Sequence, residues 1–412
     1  MDDYTHFLGI DIAKDFFDIA LLQKQSKETL EPQNFKMNQK GFKQLIDYLD
    51  NHIDSNQSIF MVLESTGSYH LKLLDFLVNK DFNIALVNPK LIKSFMDSRS
   101  LRRSSNDIKS AKNIAHYAQR NYFELNTVSP NEITSLKPLI REREHTIKQI
   151  TQEKNQLRNY LDRVFPELSD VTSLFSKTIL NMLKEAPSAK AIQNKGLEFV
   201  EKALNSTNGG RIKASPEKIF EAAQNSIGLS DQNLEQIIVL KINKFLELKN
   251  SVKEINNLLK DQITINHKIK KNVEILTSIK GIGFNSAISF LIEAGIAGTN
   301  IANVFPSHKQ IIAYAGTDPV IKESGDSINQ HKSISKQGNP HLRKIIYTMS
   351  STVKNHGYFN YYYNKKRNEG KTYHQAIIAV GNKLLKVLYS LLKNETLYDL
   401  DYHLSKVDWI AA

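Results

Sequence analysis

Residues 7–22 read FLGIDIAKDFFDIALL. Phe7 to Ile12 is a short, apolar, β-rich run with one carboxylate, Asp11, inside it, and Phe16 to Leu22 is a second such run. Farther on, Ile59-Phe60-Met61-Val62-Leu63 is a continuous apolar run, as expected of a strand covered on both faces. Ser65-Thr66-Gly67-Ser68 punctuates it, and Tyr69 to Asn79 reads as a helix. Asn83-Ile84-Ala85-Leu86-Val87 is a further strand, stopped by Asn88-Pro89. From Asp107 to Arg120, the residues Ile108, Ala111, Ile114, Ala115 and Ala118 recur at spacings of three and four, which predicts a helix. Residues 1–125 are therefore expected to form an α/β domain.

The chain has 412 residues, which suggests two or three domains at roughly 150 residues each. Its 41% apolar and 24% charged residues are ordinary for a globular protein and exclude wholesale disorder. Lys and Arg number 55 against 43 Asp and Glu, a net charge of +12 that suits a polyanionic partner such as nucleic acid. The absence of Cys excludes disulfides, thiol catalysis and Cys-based zinc sites, and fits a reducing cytoplasm. Apolar stretches such as Ala287 to Gly295 fall well short of the ~18 residues of a spanning helix, so no membrane partner is expected. The acidic start Met1-Asp2-Asp3 is unlike a signal peptide.

The middle, 126–272, is expected to be long helices. Leu136, Ile140, Ile147, Ile150, Leu157, Leu161, Val164 and Leu168 step by about three and four, with Arg143 and Lys154 filling two seam positions. Pro166 should end this helix, and Leu234 to Ile265 forms a second. The seam serves either an intramolecular helical hairpin or a coiled coil that dimerises the protein. Between them, Ala186 to Asn225 reads as short helices and turns. The C-terminal part, 273–400, is expected to be mostly helical. It has a helix-hairpin-helix-like turn at Gly281-Ile282-Gly283, a polar, loop-rich stretch from Gly316 to Pro340, and helices over His341 to Ser351 and Gly370 to Leu392. From Lys322 to Glu395, cations far outnumber acids.

Several residues suit chemistry. Asp11 lies within a strand, Glu64 ends another and Asp107 opens a helix. A carboxylate in an apolar strand is costly unless paired or bound to a cation. Three such acids converging would suit Mg²⁺, which takes hard oxygen ligands and leaves positions for phosphate oxygens. Acids at strand ends also serve as turn formers. The amides at Gly281 and Gly283 suit a phosphate nest, or a plain helix cap. Ser324-Gly325 lies in a polar loop flanked by Lys322 and Lys332; a serine hydroxyl becomes a nucleophile only when activated. Lys365, Lys366, Arg367 and Lys371, beside Tyr358, Phe359, Tyr361, Tyr362 and Tyr363, suit backbone neutralisation with base stacking, or a solvated helix face with aromatic packing. Arg102, Arg103 and Lys109 form another basic stretch around Asp107.

The blocks, taken in order, resemble transposases of the insertion-sequence-110 family, which includes the Piv-type DNA invertases and the RNA-guided bridge recombinases. They are GIDIAKDFFDIALL, LESTGSYH, LVNPKLIKSF, SSNDIKSAKNIAHYA, IREREHTIKQITQEKNQLRNYLDRVFPEL, LTSIKGIGFNSA, FPSHKQIIAYAGTDP, ESGDSINQHKSISKQGNPHLRK and GKTYHQAIIAVGNKLL. The resemblance implies a RuvC-like N-terminal domain with the RNase H fold, and a metal-binding Asp-Glu-Asp-Asp tetrad. Asp11, Glu64 and Asp107 match its first three members, while Ser110 stands where the fourth acid is expected. The resemblance further implies a C-terminal transposase domain whose nucleophile is Ser324, forming a serine–DNA link. Lys336 and Arg343 are then placed to support the phosphate backbone. It also implies Mg²⁺, double-stranded DNA, a noncoding guide RNA, a homodimer or homotetramer, and a bacterial, nucleoid-associated location in the cytoplasm. Two other readings stand beside this one: a nucleic-acid-binding protein impaired in cutting by Ser110, and a RuvC-type nuclease that resolves branched DNA without a serine intermediate.

Overall fold

The computed structural model describes residues 4–64, 69–87, 89–99, 107–125, 127–128, 136–205, 215–324 and 328–405. Residues 136–270 form one compact unit; residues 1–135 and 271–412 belong to another.

The first segment is built on a five-stranded sheet. Its strands are β1 (His6–Ile12), β2 (Phe16–Gln23), β3 (Gln33–Lys36), β4 (Ile59–Glu64) and β5 (Asn83–Val87), in the spatial order β3-β2-β1-β4-β5. β2 runs antiparallel to β1 and β3, whereas β4 is parallel to both β1 and β5. Four helices belong to this segment: α1 (Gln39–Asp50), α2 (His70–Val78), α3 (Pro89–Arg99) and α4 (Asp107–Asn121). The sequence pattern did not announce β3 and α1, which are short or largely polar.

Strand alternation sorts the side chains into two layers. Leu8, Ile10, Ile19, Met61 and Leu63 pack with Leu45 and Leu49 of α1 and Leu73, Leu74 and Leu77 of α2. Phe7, Ala20, Phe60, Val62 and Ala85 pack with Ile92 of α3 and Ala111, Ile114, Ala115 and Ala118 of α4. Both faces are covered, which is why the central strands read as unbroken apolar runs. The second layer has an unusually close contact. A Cβ built on Gly9 would lie 2.2 Å from the Ala111 carbonyl oxygen and 2.2 Å from the Ala115 amide nitrogen. Helix backbone thus rests directly on strand backbone, and glycine at 9 with alanines at 111 and 115 makes the approach possible.

The unit 136–270 is helical: α5 (Leu136–Val164), α6 (Leu168–Val171), α7 (Lys177–Glu185), α8 (Ala189–Asn205), α9 (Pro216–Gln224) and α10 (Gln232–Ile265). α5 packs along α10 of its own chain. Of the two uses of the seam, the intramolecular hairpin is therefore the one the described residues display. Leu157, Leu161, Val164, Ile238, Ile242 and Phe245 join residues of α7, α8 and α9 in one core. The seam itself is shifted by one residue in its middle: Thr146 and Glu153 are buried and Ile147 is exposed. A straight helix drifts about 20° per heptad from a strict repeat, enough to move the buried line to the adjacent residue. Lys154, placed in the seam by spacing, instead sets its ammonium 5.2 Å from the Phe175 ring centre. Glu153 is buried between Lys241 and Lys244 of α10, at 3.0 and 2.9 Å.

The last segment contains α11 (His267–Thr277), α12 (Phe284–Glu293), α13 (Ile301–Val304), α14 (His308–Ala315), β6 (Pro319–Ser324), β7 (Ile328–Ile334), α15 (Pro340–Val353), α16 (Gly357–Asn368), α17 (Tyr373–Asn394) and α18 (Leu400–Ser405). α17 is the central helix, packed by α13, α14, α15 and α16. Among the described helices it alone is long and apolar enough to cross a membrane, but its apolar residues, Ile377, Val380, Leu384, Leu385 and Leu388 among them, are buried within this segment. The stretch expected to be loop carries the β6–β7 hairpin instead. An isolated two-stranded ribbon of polar residues leaves no apolar signature in sequence.

Two outcomes are expected. Gly9→Ala forces α4 away from β1 and costs about 1–3 kcal/mol, read as a lower denaturant midpoint. Burial raises the Glu153 carboxyl pKa, but the hydrogen bonds and charges of Lys244 and Lys241 outweigh this and hold it below its ordinary value of 4.5. Its stabilisation is therefore complete above that value and is lost as pH falls through the lower folded value. Glu153→Gln should reduce this acid sensitivity, read as a smaller fall of the thermal midpoint with pH by circular dichroism.

Candidate active site and nucleic-acid interface

Asp11 and Glu64 come together at one end of the sheet. Parallel pairing sets Ile10 beside Leu63, so the next step along both strands sets Asp11 beside Glu64. Asp11 shares the face of Phe7 and Gly9, and Glu64 that of Phe60 and Val62, which is the face covered by α4. Both are half-buried. Asp107 is the first residue of α4, one turn before Ala111, whose carbonyl lies over Gly9. Farther along α4, Gln119 Nε2 donates to the Gln23 and Lys24 carbonyls beside the start of β1, so a helix that crosses β1 at Gly9 has its own start toward the ends of β1 and β4. The side chains of Asp107 and Lys109 lie outside the described ones, as do Arg102, Arg103 and the Thr66-Gly67 motif. Among the described residues, no three His, Asp or Glu side chains form a group able to hold a metal ion. The pair Asp11 and Glu64 offers hard carboxylate oxygens, the donor chemistry that suits Mg²⁺. Ser110 is half-buried on α4 beside Ala111.

Ser324 is the last residue of β6, at the tip of the hairpin, in register with Ile328. Its side chain and those of Lys322 and Lys332 are outside the described ones, and so is Gly325. The base of the hairpin is tightly fixed. Buried Thr317 donates its hydroxyl to Asn382 Oδ1 at 2.6 Å, and Asn382 Nδ2 donates back to the Thr317 carbonyl at 3.0 Å. Across the ribbon, the Ser335 hydroxyl donates to Asp318 Oδ1 at 2.6 Å, and the Lys336 amide donates to the Gly316 carbonyl at 3.1 Å. Asn339 caps α15 and donates Nδ2 to Oε2 of the fully buried Glu293 at 3.1 Å. Arg343 is half-buried and donates Nη1 to the Ala315 carbonyl at 3.0 Å, so it ties α15 to the end of α14; Lys336 is exposed. None of Thr317, Asp318, Asn382 or Glu293 was legible as a site residue, because isolated polar residues in helices and turns carry no spacing signal.

The two glycines of the Gly281-Ile282-Gly283 turn differ. Gly281 has φ 103° and sits against Val353, where an added Cβ would come within 3.1 Å of its Cα. Gly283 caps α12, is exposed and has open space around it. Gly281 is therefore required by packing, while Gly283 presents the start of α12 to solvent.

The basic and aromatic cluster lies on α16 and its neighbours. Tyr358 and Phe359 are buried and serve packing, while Tyr361 is 40% exposed. Lys383 stands over the Tyr358 ring at 5.3 Å and Lys354 over the Tyr363 ring at 4.9 Å. Lys366 pairs with Glu369 at 2.7 Å, and this hydrogen bond raises its pKa. Lys365 is half-buried, and Arg367 and Lys371 are exposed, with Arg367 Nη1 donating to the Lys371 carbonyl at 2.8 Å. One ion pair, to Glu369, neutralises Lys366, and Arg367 and Lys371 keep their positive charge at the surface.

Comparison with known proteins adds family evidence at both ends. Residues 8–166 match a model described as a transposase of the IS110 group, and residues 273–364 match one described as a transposase of the IS116/IS110/IS902 family. The chain is 24% identical over 400 residues to a pilin gene-inverting protein of Moraxella bovis, covering 96% of this chain and 98% of that one. The corresponding protein of Moraxella lacunata is 22% identical over the same length. An uncharacterized protein of insertion element IS110 from Streptomyces coelicolor is 24% identical over 299 residues, 71% of this chain and 72% of that one.

If α16 touches nucleic acid, the double substitution Arg367→Ala with Lys371→Ala should weaken binding. Each lost phosphate contact should also lower the slope of log affinity against log salt by about 0.9 on duplex DNA. Filter binding across a salt series reads both, and an unchanged slope places the interface elsewhere.

Proposed function

The chain belongs to the insertion-sequence-110 family of transposases, and on that premise we propose that it cuts and rejoins DNA at one composite site, with Asp11, Glu64 and Asp107 on one side and Ser324 on the other. The observation that supports this reading is the course of α4, which crosses β1 at Gly9 and is tied by Gln119 to the residues beside the start of β1, leaving its first residue toward the strand ends where Asp11 and Glu64 share a face. A mixed sheet covered on both faces, with carboxylates at the ends of its central strands, supports the RuvC-like reading.

Asp11, Glu64 and Asp107 would hold Mg²⁺. When bound, that ion neutralises charge on the scissile phosphate and favours ionisation of a hydroxyl beside it. Ser324 Oγ attacks phosphorus, its proton passing to solvent, and the DNA oxygen leaves with the electron pair of the broken P–O bond and takes up a proton. The new phosphoserine keeps the phosphodiester energy, so a DNA hydroxyl can later displace Ser324 and rejoin the strand without ATP. The anchored base of the β6–β7 hairpin fixes where the ribbon leaves the helices, with Ser324 carried at its far end. Lys336, Arg367 and Lys371 would neutralise nearby phosphates. A guide RNA would read sequence by pairing while the protein reads backbone shape. Pairing of protomers, as dimer or tetramer, would bring the carboxylates of one copy to the serine of another. The pilin gene-inverting relatives make inversion of a DNA segment one of the outcomes such a site can serve.

A second reading is a folded nucleic-acid binder impaired in strand exchange, favoured by Ser110 at the position of an expected acid. One trapping assay separates them. Purified protein is mixed with labelled DNA spanning the element junction, Mg²⁺ and RNA from the element's flanks, then denatured. The expected result is a protein–DNA adduct that Ser324→Ala and Asp11→Asn abolish while DNA binding persists. An adduct surviving in Ser324→Ala removes the serine assignment. Its appearance only in Ser110→Asp marks the natural protein as an impaired binder.

A further inference from the structure

β2 sets a second carboxylate opposite Asp11. Asp18 is the register partner of Asp11 across the antiparallel β1–β2 ladder. Phe17, Ile19 and Leu21 point into the layer of α1 and α2, and Ala20 and Leu22 into that of α4. Asp18 therefore shares the face of Gly9 and Asp11. It is only 6% exposed. Asn34, its own register partner on β3, donates Nδ2 to Asp18 Oδ1 at 2.9 Å. Asp11, Asp18 and Asn34 thus run in a row across three strands.

This row gathers two carboxylates on one buried face. Like charges facing each other across a ladder repel. A buried carboxylate held by a neutral amide loses hydration that the amide only partly replaces. A divalent cation at Asp11 and Glu64 offsets both costs. On the reading of the site as an acidic tetrad, Ser110 stands where the fourth acid is expected, which leaves that site one negative charge fewer.

We propose that Asp18 supplies the missing charge. It is a positioning residue: it acts through Asp11 and through its field, with Asn34 fixing it, and it tightens divalent-cation binding at the ends of β1 and β4. This rests on the reading of Asp11 and Glu64 as metal holders. Asp18 need not touch the ion. Affinity of hard-cation sites follows the charge gathered around them, and residues behind the ligands change it by about 10–100-fold. The natural protein is then a site whose fourth charge has moved from a helix to a strand.

The test is Mn²⁺ binding to the full-length protein without DNA, read by electron paramagnetic resonance of the free ion. Asp18→Asn keeps the shape and the oxygen that Asn34 needs while removing the charge. It is expected to weaken Mn²⁺ binding about tenfold or more, with a metal-free thermal midpoint no lower than that of the wild type. Adding Ser110→Asp to Asp18→Asn should restore wild-type affinity, and Ser110→Asp alone, which leaves β2 untouched, should tighten binding by a similar factor. Asp11→Asn should abolish it. Wild-type binding by Asp18→Asn, while Asp11→Asn has lost it, overturns the role of Asp18 and leaves the metal reading standing. No rescue and no tightening by Ser110→Asp overturns it too, since a purely structural Asp18 would behave that way. Unchanged binding in Asp11→Asn overturns the metal reading itself.

Discussion

The α/β segment depends on one backbone contact, α4 lying on β1 at Gly9. A strand and a helix normally meet through side chains, about 10 Å apart. Here a single Cβ at position 9 would fall 2.2 Å from helix backbone atoms. The close approach has two consequences. It seals the sheet face formed by Phe7, Ala20, Phe60 and Val62, with Ala111 and Ala115 as the facing small residues. It also fixes where α4 begins, since a helix anchored at 111 and 115 has little freedom in the turn before. Stability and placement of Asp107 are thereby set by the same two atoms' worth of space.

Buried charge is the second theme, and it is resolved differently in each part of the chain. Glu153 sits between Lys241 and Lys244 in the α5–α10 hairpin, two ion pairs that join the two long helices. Glu293 is fully buried and accepts from Asn339, tying α12 to the cap of α15 and so to the exit of the β6–β7 hairpin. Asp18 accepts from Asn34 and faces another carboxylate. The first two arrangements explain themselves as structure. The third sets two carboxylates on one face of the sheet, which is why the proposal for Asp18 starts there.

Legibility in sequence followed the range of the interaction. Apolar runs and three-four spacings are local, so β1, β2, β4, β5, α4, α5 and α10 could be read directly from the chain. The β6–β7 ribbon could not, because polar strands without a covering layer look like loop. Asp11 stood out because a carboxylate interrupts an apolar strand. Asp18 interrupts one as well, yet its meaning depends on register with β1, which pairing and not spacing determines. The aromatic and basic cluster was visible as composition, but composition could not tell buried Tyr358 and Phe359 from exposed Tyr361.

By itself the sequence determined the kinds of chemistry available: no thiols, an excess of cations, acids at strand ends and a serine in a polar segment. It also determined which of the apolar, periodic segments are strand or helix, because periodicity is written residue by residue. Tertiary structure decided which of these residues meet. The shared face of Asp11, Asp18 and Glu64, the partner of α5, and the anchoring of the hairpin by Asn382 all join residues far apart in the chain. Such contacts arise from packing and register, whose energies exist only once the layers have come together.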